Sequence, residues 1–210
     1  MSIAEVSALV MQGIGILATV TIAVWAIFGD HLRAWLFGPE LRIHLLSGEG
    51  GLTFLEDGTP GHFYKIRVWN ERWKKPRAQA KNVRVMLIKI SRPTDYGVMT
   101  PQAFSGPLQL TWQFPQVTPQ YPTIGPAQIS TFGKLIQGEK FTLTPYFLPS
   151  YFDGTVGPNE RIQVELIAIA DNAQSESLCL DITWNGHWDI DPKVMTEHLM
   201  IREVNPQDGF

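Results

Sequence analysis

IQVELIAIADNAQSESLCLDITW, Ile162 to Trp184, decides the fold. Ile162, Val164, Leu166 and Ala168 alternate with Gln163, Glu165 and Ile167. Leu178, Leu180, Ile182 and Trp184 then alternate with Cys179, Asp181 and Thr183. Period two is the signature of a strand with one face buried and one face wet, and the polar stretch between the runs is a connection. The same alternation recurs upstream. Tyr64, Ile66 and Val68 form one run, Val83, Val85 and Leu87 another, Leu108, Leu110, Trp112 and Phe114 a third, and Phe141 with Leu143 a short one. With Leu41 to Leu46 and a segment around Gln128 to Phe132, seven or eight strands are expected.

Turn chemistry separates these runs: Gly48 to Gly51, Asp57-Gly58-Thr59-Pro60-Gly61, Gly125-Pro126, Asp153-Gly154 and Gly157-Pro158-Asn159. No stretch after Pro39 keeps a helical period. The expectation is therefore a mainly β chain, an antiparallel sandwich over 41–185 rather than an α/β fold. Residues 186–210 read as a tail. Asp191-Pro192 opens a short helix, Lys193 to Leu199, with Val194, His198 and Ile201 on one side.

The body resembles an immunoglobulin-like sandwich of the type found in bacterial single-span membrane proteins. The likeness is carried by YKIRVWNERWKKPRAQAKNVRVMLI (64–88) and by the two late strands in 162–186. It implies a domain that binds other proteins. The cysteine pair frequent in that family is absent, which argues against its antibody-type branch.

Upstream of the body stands SALVMQGIGILATVTIAVWAIFGDHLR, Ser7 to Arg33, and from Val6 to Gly29 no residue is charged. A helix over Ala8 to Phe28 is about 31 Å long, close to a hydrocarbon core of about 30 Å. A cleaved leader fits poorly, because Glu5 stands where a Lys or Arg belongs and the apolar run is too long. Residues 1–29 are thus expected to be a transmembrane helix with a short N-terminal tail. Residues 30–40 are read as a juxtamembrane amphipathic segment, either a short helix on the surface or the last turns of the span. No Lys or Arg precedes the span, whereas Arg33 and Arg42 follow it, so the positive-inside rule puts the N-terminus outside and the domain in the cytoplasm of a cell with an inner membrane. Trp25 and Trp35, with Arg33, are the interfacial anchors. Ala8, Gln12, Gly15, Thr19, Ala23 and Ala26 share one face, all small or polar, opposite Val10, Ile14, Leu17, Val24 and Phe28. Small residues let two helix backbones approach, so this face is expected to pack on other integral membrane subunits.

Charge is divided along the chain although its formal net value is only -3. Ten of the 17 basic residues lie between Lys65 and Arg92, against one acid, Glu71. Arg72, Lys74, Lys75, Arg77 and Lys81 form a basic patch suited to anionic lipid headgroups or an acidic partner. No nucleic-acid motif accompanies them, so no nucleic acid is expected. His187, Asp189 and Asp191 are too few for a metal site, and no metal or cofactor is expected. No Gly-x-Ser-x-Gly elbow or phosphate loop occurs, so no catalytic residue is assigned and the chain is not expected to be an enzyme. The lone Cys179 forms no internal disulfide.

The expected role is a non-catalytic accessory subunit of a multi-subunit membrane complex, with a respiratory or photosynthetic host as the guess. The alternative is a free membrane-tethered module that recognises a soluble protein, peptide or ligand. A cysteine placed at Ser2 checks the topology: a membrane-impermeant thiol reagent added outside intact cells labels it if the N-terminus is outside, and spares it if the orientation is reversed.

Overall fold

The computed structural model describes residues 3–71, 79–104, 106–113, 122–124 and 127–204; within the first helix, side chains are described for Val6, 11–26, Phe28 and Gly29. The chain divides into two compact units, 1–38 and 39–210.

The first unit is α1, Ile3–Phe37, 35 residues long. It runs straight through the expected boundary at residue 30 and stops at Gly38-Pro39, where proline cannot continue a helix. Met11, Ile14, Ile16, Leu17, Val20 and Ile22 are all more than half exposed. Thr19 Oγ1 donates to the Gly15 carbonyl at 2.9 Å and Thr21 Oγ1 to that of Leu17 at 2.8 Å, so both hydroxyls are satisfied inside the helix. Among the described residues no helix is long and apolar enough to cross a membrane. The expected transmembrane span therefore has no support from that count.

The second unit is a sandwich-like pair of antiparallel sheets. In chain order its elements are β1 (Leu41–Leu45), β2 (Gly51–Phe54), β3 (Pro60–Asn70), β4 (Arg84–Pro93), β5 (Met99–Pro101), β6 (Leu108–Gln109) and β7 (Thr111–Trp112). There follow β8 (Gln128–Ile136), β9 (Phe141–Leu143), β10 (Thr155–Val156), β11 (Glu160–Ala170), β12 (Ala173–Gln174), β13 (Leu178–Trp184), α2 (Pro192–His198) and β14 (Leu199–Val204). One sheet runs β1-β3-β8-β9-β10, with β2 on β3 and β7 on β8. The other runs β14-β13-β11-β4-β5, with β12 on β11 and β6 on β4.

The alternating residues become the core. Tyr64, Ile66, Val68, Phe132, Leu135, Phe141 and Leu143 of the first sheet share one buried cluster with Val85, Leu87, Ile162, Val164, Leu166, Leu180 and Ile182 of the second. Each such side chain contributes about 1.5–3 kcal/mol by leaving water. Two bulges interrupt the ladders. Between β4 and β11 the register passes from Lys89↔Glu165 to Leu87↔Leu166, which leaves Ile88 unpaired. Between β3 and β8 it passes from Tyr64↔Gly133 to Lys65↔Thr131, which leaves Phe132 unpaired. Each extra residue reverses which parity of the strand faces inward.

β1 and β2 lie along one edge of β3 as a single interrupted strand, with residues 46–50 standing opposite only Tyr64 and Lys65. That excess loop is pressed onto β3: a Cβ on Gly50 would stand 2.8 Å from the His62 Cβ. The interruption breaks what would otherwise be a long open edge.

Strand number and domain limits differ from the sequence reading. Fourteen segments occur among the described residues, because short edge pieces of two to six residues (β2, β5, β6, β7, β10, β12 and β14) add to the longer strands. The sandwich also does not end at 185. β14 pairs with β13 from Trp184↔Leu199 to Cys179↔Val204, so the supposed tail supplies an edge strand. α2 starts on Asp191, whose carboxylate accepts from the Lys193 N–H at 2.9 Å, followed by proline at the first helical position. It ends at His198 and turns Met195 inward, while Val194 is exposed and Ile201 lies on β14, so Val194, His198 and Ile201 do not form one helical side.

Gly133 leaves no room for a side chain, since a Cβ there would enter the Phe141 ring. Gly133→Ala is expected to lower stability by about 1–3 kcal/mol through overpacking. Urea unfolding checks this: the midpoint falls with the slope retained, and an unchanged midpoint would contradict the packing described.

Candidate functional site: an aromatic cleft between β9 and β10

Thr144 to Gly154 reads TPYFLPSYFDG, with four aromatic residues, a leucine and two prolines before its first charge at Asp153. Both ends are tied down. The Thr144 N–H donates to the Phe132 carbonyl at 2.9 Å, the Tyr146 N–H to that of Gln109 at 2.6 Å, and the Leu143 N–H to that of Gly154 at 2.9 Å. The Phe152 N–H closes a turn on the Pro149 carbonyl at 3.0 Å. Proline fixes φ at 145 and 149, which narrows the loop further. A loop held in this way cannot fold its apolar side chains back on the core. Phe147 is 75 % exposed and Tyr151 97 %, with Tyr146 and Leu148 also exposed.

Among the loop's aromatic residues Phe152 turns inward. Its ring lies where a Cβ on Gly154 would stand, so glycine is required there, and it meets Phe104 edge to face at 6.3 Å. Together Ala103, Phe104, Pro149, Tyr151 and Phe152 line a cleft of about 240 Å³. None of the five carries a charge.

Beside the cleft, an ionic clasp fixes the loop's exit. Arg92 Nη2 donates to Asp153 Oδ2 at 3.1 Å and to the Thr155 carbonyl at 2.7 Å, and Nη1 reaches Glu160 Oε2 at 3.4 Å. Glu160 Oε2 in turn accepts the Gly157 N–H at 2.8 Å. Partial burial pushes the Asp153 carboxyl up. Hydrogen bonds from the Thr155 hydroxyl and N–H, with the charges of Arg92 and Lys140, outweigh that and hold it below its ordinary value of 3.8. The clasp joins β4 of one sheet to the β10 end of the other.

A second polar cluster is structural. His62 is fully buried on β3 and its Nε2 lies 2.8 Å from the Asp189 carbonyl, with the Trp188 ring 5.5 Å away. Asp189 Oδ1 accepts the Asp191 N–H at 2.7 Å, and the Asp189 N–H points to Met195 Sδ at 3.4 Å. These contacts seat the segment before α2 against the first sheet. His187 accompanies His198, the two rings 5.5 Å apart. Among the described residues no group of three or more His, Cys, Asp or Glu could hold a metal ion. Cys179 is half-buried, and burial pushes its thiol up, which disfavours the reactive thiolate.

The residues singled out from sequence are placed unevenly. Gln12, Gly15, Thr19, Ala23 and Ala26 are all exposed on α1, and nothing lies within 4 Å of where a Cβ on Gly15 would be. Trp25 packs back on Gly29, 3.5 Å from where a Cβ there would stand. The Ala8, Arg33 and Trp35 side chains lie outside the described residues, as do Arg72, Lys74, Lys75 and Arg77. Lys81 is exposed, and its backbone pairs with the Asp171 N–H at 3.0 Å and with Asn172 Oδ1 at 3.3 Å. The basic patch is therefore not assembled by the described residues. The aromatic loop was not among the residues singled out from sequence, although its signal was present: two aromatic pairs without alternation, each following a proline within three residues.

Compared with protein-family models, with curated proteins and with solved structures, the chain matches none.

The clasp has a definite pH dependence. A carboxyl held below its unfolded value stabilises the fold above that value, and the contribution disappears as pH falls through the folded one. Asp153→Asn is expected to unfold at lower urea than the parent protein at pH 7, with the gap closing as pH falls below the ordinary carboxylate value of 3.8 and through the lower folded one. A gap that persists in acid would contradict the role given to Asp153.

Proposed function

We propose that the chain is a non-catalytic accessory subunit of an integral membrane complex in an inner membrane. α1 is its anchor, and an immunoglobulin-like sandwich on the cytoplasmic side braces partner subunits. The reading rests on one observation: α1 carries no charge from Val6 to Gly29, and its apolar side chains stand exposed along the helix. Apolar surface on that scale, left in water, invites association. Lipid and neighbouring spans are the two environments that cover it without requiring charge. The internal bonds of Thr19 and Thr21 suit such a setting, where a free hydroxyl has no water to turn to.

The division of α1 into two faces selects neighbouring spans for part of that cover. Gly15, Thr19 and Ala23 make a flat strip on which another helix can rest backbone to backbone, while Ile14, Leu17 and Val24 make a bulky strip for acyl chains. Arg33 and Arg42 set the orientation, and the basic stretch from Arg72 to Lys81 gives the head its affinity for anionic headgroups or an acidic subunit. A second reading, a free membrane-tethered binding module, is favoured by the aromatic cleft. Both give the sandwich a recognition task and no reaction.

Gly15→Leu with Ala23→Leu tests the packing strip. Insertion into membranes is expected to be unchanged, and co-purification with partner subunits after mild detergent extraction is expected to fall at least tenfold. Undiminished co-purification would overturn the packing strip, and a wild-type chain that migrates alone on native gels would overturn the accessory-subunit reading.

A further inference from the structure

We propose that Asn185 is a site of spontaneous covalent modification. It closes on the Gly186 nitrogen to a cyclic imide, opens to aspartate or isoaspartate, and in doing so unlatches α2 from the end of β13.

The fold itself dictates the pair. Gly186 has φ +94°, a conformation that side chains rarely adopt, and a Cβ there would stand 2.7 Å from the Pro158 Cβ, so glycine is required. Asn185 is used on three sides. Its Oδ1 accepts the His187 N–H at 2.9 Å, its Nδ2 lies 3.1 Å from His198 Nδ1, and its backbone N–H donates to the His198 carbonyl at 3.0 Å. A carboxamide supplies that acceptor and that donor from one group. One residue thus ties the end of β13 to the last residue of α2. No other asparagine of the chain precedes glycine.

Ring closure needs an unhindered backbone nitrogen, an electrophilic carbonyl carbon and water. Gly186 has no Cβ to crowd the approach, and among the described residues no hydrogen bond holds its N–H. The His187 N–H points at Oδ1, where negative charge gathers as the ring closes, which is how an oxyanion is stabilised. Asn185 and His187 are exposed, so water reaches them. Hydroxide takes the Gly186 amide proton and the nitrogen attacks Asn185 Cγ. The Cγ–Nδ2 bond then breaks, and Nδ2 leaves as ammonia with a proton from water, which returns the hydroxide. Water next adds across one of the two bonds to the imide nitrogen. Cleavage of the bond to Cγ leaves aspartate. Cleavage of the bond to the main-chain carbon leaves isoaspartate, with one more methylene in the backbone. The sum is amide plus water to acid plus ammonia.

Either product cuts the tie. A carboxylate has no N–H for His198 Nδ1, and the inserted methylene moves the backbone N–H of residue 185 off the His198 carbonyl. α2 keeps its cap on Asp191 but loses its hold at His198, directly before β14. β14 is an edge strand, so the loosening begins where the sheet has pairing on one side alone.

The test ages the full chain, held in an amphipathic polymer, in warm buffers on either side of neutrality and reads the tryptic peptide 162–193 by mass spectrometry. That peptide carries its own comparison, Asn172, exposed like Asn185 but followed by alanine. Asn185 is expected to gain the mass difference of acid over amide at least tenfold faster than Asn172. The rate is expected to rise with pH, because the amide nitrogen attacks as its anion. Asn185→Gln, which would need a larger ring, is expected to stay unmodified at this position. For the latch, Asn185→Asp and the aged parent are each expected to be cut by trypsin after Lys193, inside α2, at least fivefold faster than the fresh parent. Asn185 converting no faster than Asn172 would overturn the modification site. Conversion with unchanged cleavage after Lys193 would overturn the latch. Neither readout depends on whether α1 lies in a bilayer.

Discussion

The structure depends on one constraint: each sheet has a single apolar face, and the two faces have to cover one another. Tyr64, Ile66 and Val68 of the first sheet and Val85, Leu87, Ile162 and Val164 of the second belong to one buried cluster. A slip of one residue in any of these strands would turn its apolar set out to water, so the hydrophobic pattern fixes the register. Where the chain needs to bend, an extra residue is inserted and the parity is reset, as at Ile88 and Phe132. The edges then carry what the layers cannot. An interrupted strand covers one side of β3, and the last described residues, as β14, extend β13.

The strands with unbroken period two were legible in the sequence, because burial on one face leaves a direct trace in residue order. Ile162 to Ala168 and Leu178 to Trp184 lie as their alternation requires. Features that depend on tertiary fit left no comparable trace. Nothing in VRVMLIKIS announces that Ile88 is unpaired, since isoleucine suits either side of the bulge. β14 has only Leu199 and Ile201 buried, too short an alternation to separate from the helix before it. Val194, His198 and Ile201 do not share a side because α2 stops at His198 and Ile201 belongs to β14; seven residues make only two turns, too few for a period to mark where the helix ends. The aromatic loop was legible in composition. It carries no alternation, and a search for strands passes over it.

Two apolar surfaces remain outside the core, and their physics differs. The described side chains of α1 from Met11 to Ala26 are exposed and uncharged over more than four turns. The loop from Tyr146 to Phe152 is short and pinned at both ends. Several polar groups have structural partners: Asp191 caps α2, Asp153 closes the clasp with Arg92, and His62 seats the segment before α2.

The central claim is that α1 holds the chain in a bilayer. Washing isolated membranes with alkaline sodium carbonate tests it most directly, because that treatment strips proteins held by charge or by other proteins and leaves embedded helices in place. The account predicts that the chain stays in the membrane pellet and dissolves only with detergent. Release of most of the chain into the carbonate supernatant would contradict it.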